Sequence, residues 1–132
     1  MTQQVTRSEQ LTTALDRLIA SNPTDITGAA VITTDGILLS SRLSADITIN
    51  NPDRVAAIAA TMMGVTTRVV NELKIGQAEE AIVRANGGYL LITPVMPQVC
   101  LSILLRPDAN LGMARLDAND VGQLIKAALD GS

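Results

Sequence analysis

Few side chains in this sequence suit catalysis, because none of the 132 residues is a histidine. Without imidazole there is no Ser-His or Cys-His nucleophile, and a single cysteine cannot build a zinc site. The paired acids, Glu79 with Glu80 and Asp117 with Asp120, lie in polar stretches, which indicates solvated surface. Cys100 lies among alternating apolar residues, which favours a buried thiol. The sequence therefore predicts no catalytic residue, no metal site and no cofactor.

An Asp-Gly pair interrupts two apolar runs in "VITTDGILLSS", residues 31–41, and its carboxylate is a candidate ligand for a metal or phosphate. No second carboxylate lies nearby, and neither a Walker A pattern nor a G-x-G-x-x-G loop is present. Asp35-Gly36 is instead typical of a two-residue hairpin turn, which needs positive φ values. We interpret Asp35 as a turn former, and Asn86-Gly87 repeats the pattern.

Composition excludes several classes of partner. The net charge is -3 and the basic residues are scattered, whereas nucleic-acid binding needs clustered cations. With Phe and Trp absent and Tyr89 the one aromatic residue, bases have no stacking platform. No apolar run resembles a signal peptide or a membrane span, and the solitary cysteine suits a reducing cytoplasm. We expect a single cytoplasmic domain over residues 1–132, with no nucleic-acid binding and no membrane insertion.

Eight elements follow from the spacing of apolar and turn residues. A Thr6/Glu9 capping box opens a helix that stops before Asn22-Pro23, and Asn51-Pro52-Asp53 opens a long second helix over 52–74. Two hairpins and a strand after Pro97 supply five strands, and a last helix begins near Asn110, with a potential break at Asp117. The order αββαβββα predicts an α+β fold in three layers. A five-stranded, mainly antiparallel sheet has the long second helix alone on one face and two helices on the other.

The second helix is apolar nearly all round. We expect its core stripe to be Val55, Ile58, Met62, Val65, Val69 and Leu73. The remaining rows lack charge between Val55 and Val65, and a sheet covers one side only, so we expect a second subunit against the far side. That predicted interface comprises Ala56, Ala59, Ala60, Met63, Thr66, Thr67, Val70 and Asn71.

Two alternatives do not need a second subunit. A loop such as 42–50 covers the far side of the helix, or the alanine-rich face is simply exposed to solvent. The dimer interpretation makes a specific prediction. Met63→Glu should split the dimer and leave the monomer folded, because the charge would enter the contact and not the core.

The chain resembles the Roadblock/LC7 domain. The resemblance rests on the element order, on the hairpin "GAAVITTDGILLSS" at 28–41 and above all on "LLRPDANLGMARLD" at 104–117. It implies a homodimer, or a pair with a paralogous chain, in which helix two packs against its partner and the third strand, 79–85, pairs across the two-fold axis. Ala81 and Val83 thereby join the predicted interface. Charges on that strand are also typical of protection against edge pairing.

The same resemblance implies a role. Roadblock domains are non-catalytic interaction modules, and prokaryotic members often act beside Ras-like small GTPases. We therefore expect a dimeric regulator or scaffold of such a GTPase. Arg54 and Arg68 are candidates to flank a docking groove, although exposed arginines on helices more often only solvate their surroundings, and neither is assigned an arginine-finger role. The alternatives are a small-ligand sensor domain, and a structural scaffold or light chain that does not regulate a GTPase.

Overall fold

Three helices and five strands make up the chain in a computed structural model, which describes residues 6–43 and 51–130. In chain order the elements are α1 (Arg7–Ser21), β1 (Ile26–Thr33), β2 (Leu38–Leu43), α2 (Pro52–Leu73), β3 (Ala81–Ala85), β4 (Gly88–Met96), β5 (Val99–Leu105) and α3 (Leu111–Leu129). The predicted order αββαβββα is confirmed.

The five strands form one sheet in the order β2-β1-β5-β4-β3, and all four pairings are antiparallel. The hairpins β1-β2, β3-β4 and β4-β5 supply three pairings, and β1 pairs with β5 across the whole intervening chain. β5 is central and almost entirely buried, which its run of apolar residues requires. β2 and β3 are the two edges.

α1 and α3 lie together on one face of the sheet and cover a core of large aliphatic side chains. Leu15, Leu18 and Ile125 of these helices are fully buried against Val31, Leu101 and Ile103 of the sheet. The buried amide of Asn22, which follows α1, donates to Asp117 on α3 at 2.7 Å and to the Leu18 carbonyl at 3.2 Å. α3 runs unbroken through Asp117, so this residue ties two helices together and starts no new segment.

α2 lies alone on the opposite face, as predicted, over a smaller core. Ala56, Ala59 and Met63 pack there against Ala30, Ile32, Ile92 and Cys100 of the sheet. The predicted three-layer arrangement, with one long helix against two, is thereby confirmed.

Side-chain caps begin all three helices. Thr6, Asn51 and Asn110 each accept a hydrogen bond from a backbone N–H in the first turn. The Asn110 N–H in turn donates to the Asp25 carboxylate at 3.1 Å, and the Arg106 N–H donates to the Asp25 carbonyl at 2.8 Å. The segment 106–110 thus fixes where α3 starts beside the end of β5.

The first hairpin differs in detail from the prediction. Gly36 has φ +90°, whereas Asp35 is not among the described residues with positive φ. The Gly36 N–H donates to the Thr33 carbonyl and the Thr33 N–H donates to the Ile37 carbonyl, which encloses three residues, Thr34 to Gly36. A three-residue loop of this kind needs one left-handed residue, and glycine supplies it. The second hairpin has the predicted two-residue turn at Asn86-Gly87.

Candidate protein interface

The outward face of α2 carries large apolar side chains that nothing in the described chain covers. The exposed fractions are 42% for Ile58, 57% for Val65, 45% for Val69 and 64% for Leu73. Met62 lies in the same row but is half-buried, because it packs at the margin of the core beneath α2. We call Ile58, Met62, Val65, Val69 and Leu73 the outer stripe.

The outer stripe overlaps the row that the sequence analysis assigned to the core. That assignment is wrong for Ile58, Val65, Val69 and Leu73, whereas Val55 is buried and Met62 packs at the margin of the core. The predicted contact face turns inward instead: Ala56 and Ala59 are fully buried and Met63 is 4% exposed. The physical reason is space. Small side chains let α2 lie close to the sheet over Ile32 and Ile92, which leaves no room for a row of larger residues.

The remaining predicted contact residues divide by position. Ala60 packs at the margin of the core, and Thr66 and Val70 are half-buried. Thr67 and Asn71 are exposed on the flank of the helix, away from the outer stripe. The expectation for Met63→Glu is also wrong, because that charge would enter the core. Of the two alternative explanations, the loop 42–50 cannot be judged, since residues 44–50 lie outside the described residues.

Spacing in the outer stripe suits a partner helix. Its members follow one another by four, three, four and four residues, which keeps them in one row on an α-helix. Rows built from spacings of three and four residues are the ridges along which two helices interlock. Arg54 and Arg68 are exposed at the margin of this row, and Arg68 pairs with Glu72 of the next turn at 3.1 Å.

β3 is the second uncovered feature on this side of the molecule. It begins at Ala81, two residues later than predicted, and Ala81 is buried under α2, so this member of the predicted interface is also a core residue. Ile82 and Val83 are 38% and 41% exposed, on opposite faces of the strand. Within the described residues only β4 pairs with β3, so its outer backbone groups are free to pair with another strand.

The residues that could do chemistry are held in structural contacts. Cys100 is buried beneath α2, and burial raises the pKa of its thiol to about 11. Glu80 accepts two hydrogen bonds from the Arg115 guanidinium, at 2.9 and 2.7 Å, which also raise the pKa of Arg115. Asp117 is half-buried beside Asn22. Glu80 and Asp117 are therefore more than the solvated surface expected of them.

No cluster of three His, Cys, Asp or Glu side chains that could hold a metal occurs in the described part of the chain. None of the helices in that part is long and apolar enough to cross a membrane. Asp35 is exposed at the tip of its hairpin.

A family model described as the Roadblock/LC7 domain matches residues 12–105. Myxococcus xanthus MglB superposes with a TM-score of 0.84 at 15% identity, over 98% of this chain and 95% of that one. The gliding protein MglB from Thermus thermophilus gives 0.84 at 14% identity, over 100% and 97%. A Roadblock/LC7 domain from Streptomyces avermitilis gives 0.81 at 16% identity, over 89% and 96%. The curated protein sequences give no match.

The identities to these solved structures are low, so the superpositions establish a common fold and no more. The family match covers well over half of the chain and includes β1, β2, α2 and the whole sheet. It therefore contains both the outer stripe and the free edge of β3.

Proposed function

This chain belongs to the Roadblock/LC7 family, and on that ground we propose that it is a dimeric interaction module that regulates or scaffolds a Ras-like small GTPase. Roadblock/LC7 domains are non-catalytic interaction domains, and two of the similar structures are of MglB, one of them described as a gliding protein. We propose the same kind of role for this chain, in the cytoplasm of a prokaryotic cell and without a cofactor.

The outer stripe is the observation that carries the proposal. Its five apolar side chains form a row from Ile58 to Leu73, which spans about 23 Å of the helix at 1.5 Å per residue. Continuous apolar rows of this length on a soluble domain mark a protein contact. The simplest cover is the same row of a second copy, because a two-fold axis brings identical surfaces together.

The free edge of β3 extends this contact. If two copies meet along α2, the β3 edges lie on the same side and can pair, so that one sheet continues through both subunits. Val83 faces the α2 layer, since it pairs with Leu90, which packs at the margin of that core. In the proposed dimer Val83 belongs to the interface together with the outer stripe, and Ala56, Ala59, Met63 and Ala81 do not.

The GTPase would dock across the paired α2 helices. Arg54 and Arg68 flank the outer stripe, and each is exposed. The Arg68 side chain already pairs with Glu72, and exposed pairs of this kind exchange partners at little cost. We assign both arginines a contact role with acidic side chains of the GTPase and leave hydrolysis to the GTPase's own residues.

The dimer is tested by a matched pair of variants on α2. Val65→Glu places a carboxylate in the centre of the outer stripe and should give a folded protein whose α2-mediated dimer is lost. Asn71→Glu makes the same substitution on the flank of the same helix and should leave that dimer intact. Sedimentation velocity gives the mass, and circular dichroism verifies folding. A Val65→Glu protein with the mass distribution of the wild type would refute the α2 interface.

The GTPase role is tested with a purified Ras-like GTPase from the same cell, loaded with GTP or GDP. We expect nucleotide-dependent binding and a changed single-turnover hydrolysis rate, both lost in Val65→Glu and retained in Asn71→Glu. Arg54→Ala and Arg68→Ala should weaken binding without altering the dimer. If the wild-type dimer neither binds the GTPase nor changes its hydrolysis rate, the regulatory role is refuted. The α2 dimer is not affected by that result.

A further inference from the structure

A cavity of about 380 Å³ opens beside α2, on the flank that faces away from the outer stripe. Four parts of the chain meet there: the second half of α2, the connection from α2 to β3, and the tips of the β1-β2 and β4-β5 hairpins. We call it the tip cavity, and the residues that matter for its chemistry are Thr34, Met63, Thr67, Gln77, Gln98 and Cys100.

The tip cavity has a buried floor and a polar rim. Met63 and Cys100 at the floor are 4% and 2% exposed, whereas Thr34, Gln77 and Gln98 at the rim are exposed. Sites for small molecules have this composition, with mostly apolar walls and a few polar groups that fix the orientation of the ligand. The volume also lies within the range of such sites, roughly 300 to 1,000 Å³.

Polar side chains at the rim are available to a ligand. The Thr61 and Thr66 hydroxyls donate to carbonyls one turn earlier in α2, at 2.9 and 2.8 Å. Within the described residues the Thr67 hydroxyl forms no such bond, and the side-chain amides of Gln77 and Gln98 form none either. Each of these groups can therefore bond a ligand without breaking a contact of the fold.

Gln98 is held in an unfavourable backbone conformation at this rim. Its φ is +72°, in the left-handed region, and it follows Pro97 in the β4-β5 turn, where glycine or asparagine is the usual residue. The Gln98 carbonyl accepts a hydrogen bond from the Thr34 N–H at 3.0 Å, which ties the two hairpin tips together. Strained residues cluster at ligand sites, and here the strain places an amide at the rim where glycine would place none.

The lining indicates which kind of molecule fits. No charged residue of the described chain lines the tip cavity, and an unpaired charge is costly to bury, so an uncharged ligand is favoured. Met63, Met96 and Cys100 supply sulfur atoms, which make favourable contacts with aromatic rings. Amides and hydroxyls at the rim can both donate to and accept from a group such as a carboxamide.

We propose that the tip cavity is a binding site for an uncharged small molecule with an aromatic ring and a hydrogen-bonding group such as a carboxamide. The ring packs on the sulfur-bearing floor and the polar group bonds the rim. Since Met63 and Thr67 belong to α2 and Cys100 belongs to β5, the bound molecule also ties α2 to the sheet. The site depends neither on the dimer nor on the GTPase role, because the outer stripe lies on another flank of the helix.

Three probes of similar shape and different charge test the proposal: benzamide is neutral, benzoate is an anion and benzamidine is a cation. Two-dimensional NMR of the wild-type chain identifies the backbone amide signals that each probe shifts. We expect benzamide to shift the signals of Thr34, Thr67, Gln77 and Gln98 saturably. Benzoate and benzamidine should bind at least roughly tenfold more weakly, because the uncharged lining does not offset the loss of their hydration.

A matched pair of variants locates the site. Thr67→Phe fills the cavity from an exposed position on α2, whereas Thr61→Phe makes the same substitution at an exposed position of that helix outside the cavity. Thr67→Phe should lose the benzamide shifts, and Thr61→Phe should retain them with wild-type affinity. Circular dichroism verifies that both variants are folded.

Gln98→Gly is a second variant, which leaves the cavity open. It removes the rim amide and the backbone strain together, so benzamide should bind at least roughly fivefold more weakly while the unfolding midpoint is no lower than that of the wild type. The proposal is overturned if benzamide shifts no signal around the cavity, if the shifts survive Thr67→Phe, if the three probes bind equally, or if Gln98→Gly keeps the wild-type affinity.

Discussion

The two faces of the sheet are covered in different ways. On one face, α1 and α3 bury large side chains such as Leu15, Leu18 and Ile125 against the strands. On the other face, α2 approaches with Ala56 and Ala59 and keeps its larger aliphatic residues outside. The first layer is a core closed within the subunit. The second is thin, and the helix that forms it carries an apolar row on its exposed side as well as on its buried side.

This difference shows that the row of larger side chains on an apolar helix need not be the row that faces inward. Where the sheet already supplies large residues, such as Ile32 and Ile92, a helix packs closest with its smallest row. The large row is then available for another subunit. The following predictions test this contrast, from the largest expected effect to the smallest.

Met63→Glu should unfold the chain or destabilise it by more than about 4 kcal/mol, because it buries an unpaired carboxylate beneath α2. Val65→Glu, two residues away on the outer stripe, should leave the unfolding of the isolated subunit nearly unchanged. Urea denaturation of both variants, with Met63→Leu as the size control, gives the comparison. Equal stability of Met63→Glu and Val65→Glu would contradict the assignment of the two rows.

Leu15→Ala should reduce the free energy of unfolding by about 2 to 5 kcal/mol, since it opens a cavity in the closed core between α1 and the sheet. Leu73→Ala removes an equal volume from an exposed position of the outer stripe and serves as the control. Leu73→Ala should reduce the free energy of unfolding of the subunit much less. Similar losses for both variants would argue against the difference between a closed core and an exposed outer stripe. Denaturant unfolding at low protein concentration separates the subunit from its dimer.

Ala59→Leu should destabilise the subunit by about 1 to 3 kcal/mol, because the α2 layer has no room for three more carbon atoms. On the outward side of the same helix, Ala57→Leu should be tolerated, since Ala57 is exposed. Thermal unfolding monitored by circular dichroism distinguishes the two. A neutral or stabilising Ala59→Leu would show that α2 does not lie close to the sheet.

Asp117→Ala should cost about 1 kcal/mol, because the buried Asn22 amide loses its 2.7 Å acceptor while a second acceptor, the Leu18 carbonyl, remains. Asn119→Ala, exposed on the same helix, is the control. Unfolding midpoints in urea measure the difference. An Asp117→Ala protein as stable as the control would mean that the link between α1 and α3 contributes nothing.

Most of the fold could be predicted because its signals are local. Capping residues at Thr6, Asn51 and Asn110 give the helix starts, and turn residues with apolar runs give the strands. The division of helices between the faces followed from strands that are apolar at consecutive positions. The pairing of β1 with β5 was not predicted, because it joins strands far apart in the sequence.

The interface could be predicted only in part. The lack of charge on α2 predicted that both of its sides are buried, and in the single chain one of them, the outer stripe, is exposed. The lack of charge did not reveal which row of α2 faces the sheet. That depends on the sheet side chains that pack against α2, and these come from strands distant in the sequence.

Cys100 provides a way to measure how often α2 separates from the sheet. The thiol lies buried under the helix, and burial raises its pKa from the ordinary 9.0 to about 11. A thiol reagent can therefore label it only while α2 is lifted from the sheet, so the labelling rate counts openings of this layer. Because a folded-state pKa above the unfolded one favours folding only while the thiol is protonated, that contribution is complete below pH 9 and is lost towards pH 11. Slower labelling at high protein concentration would report that the subunit contact holds the helix down.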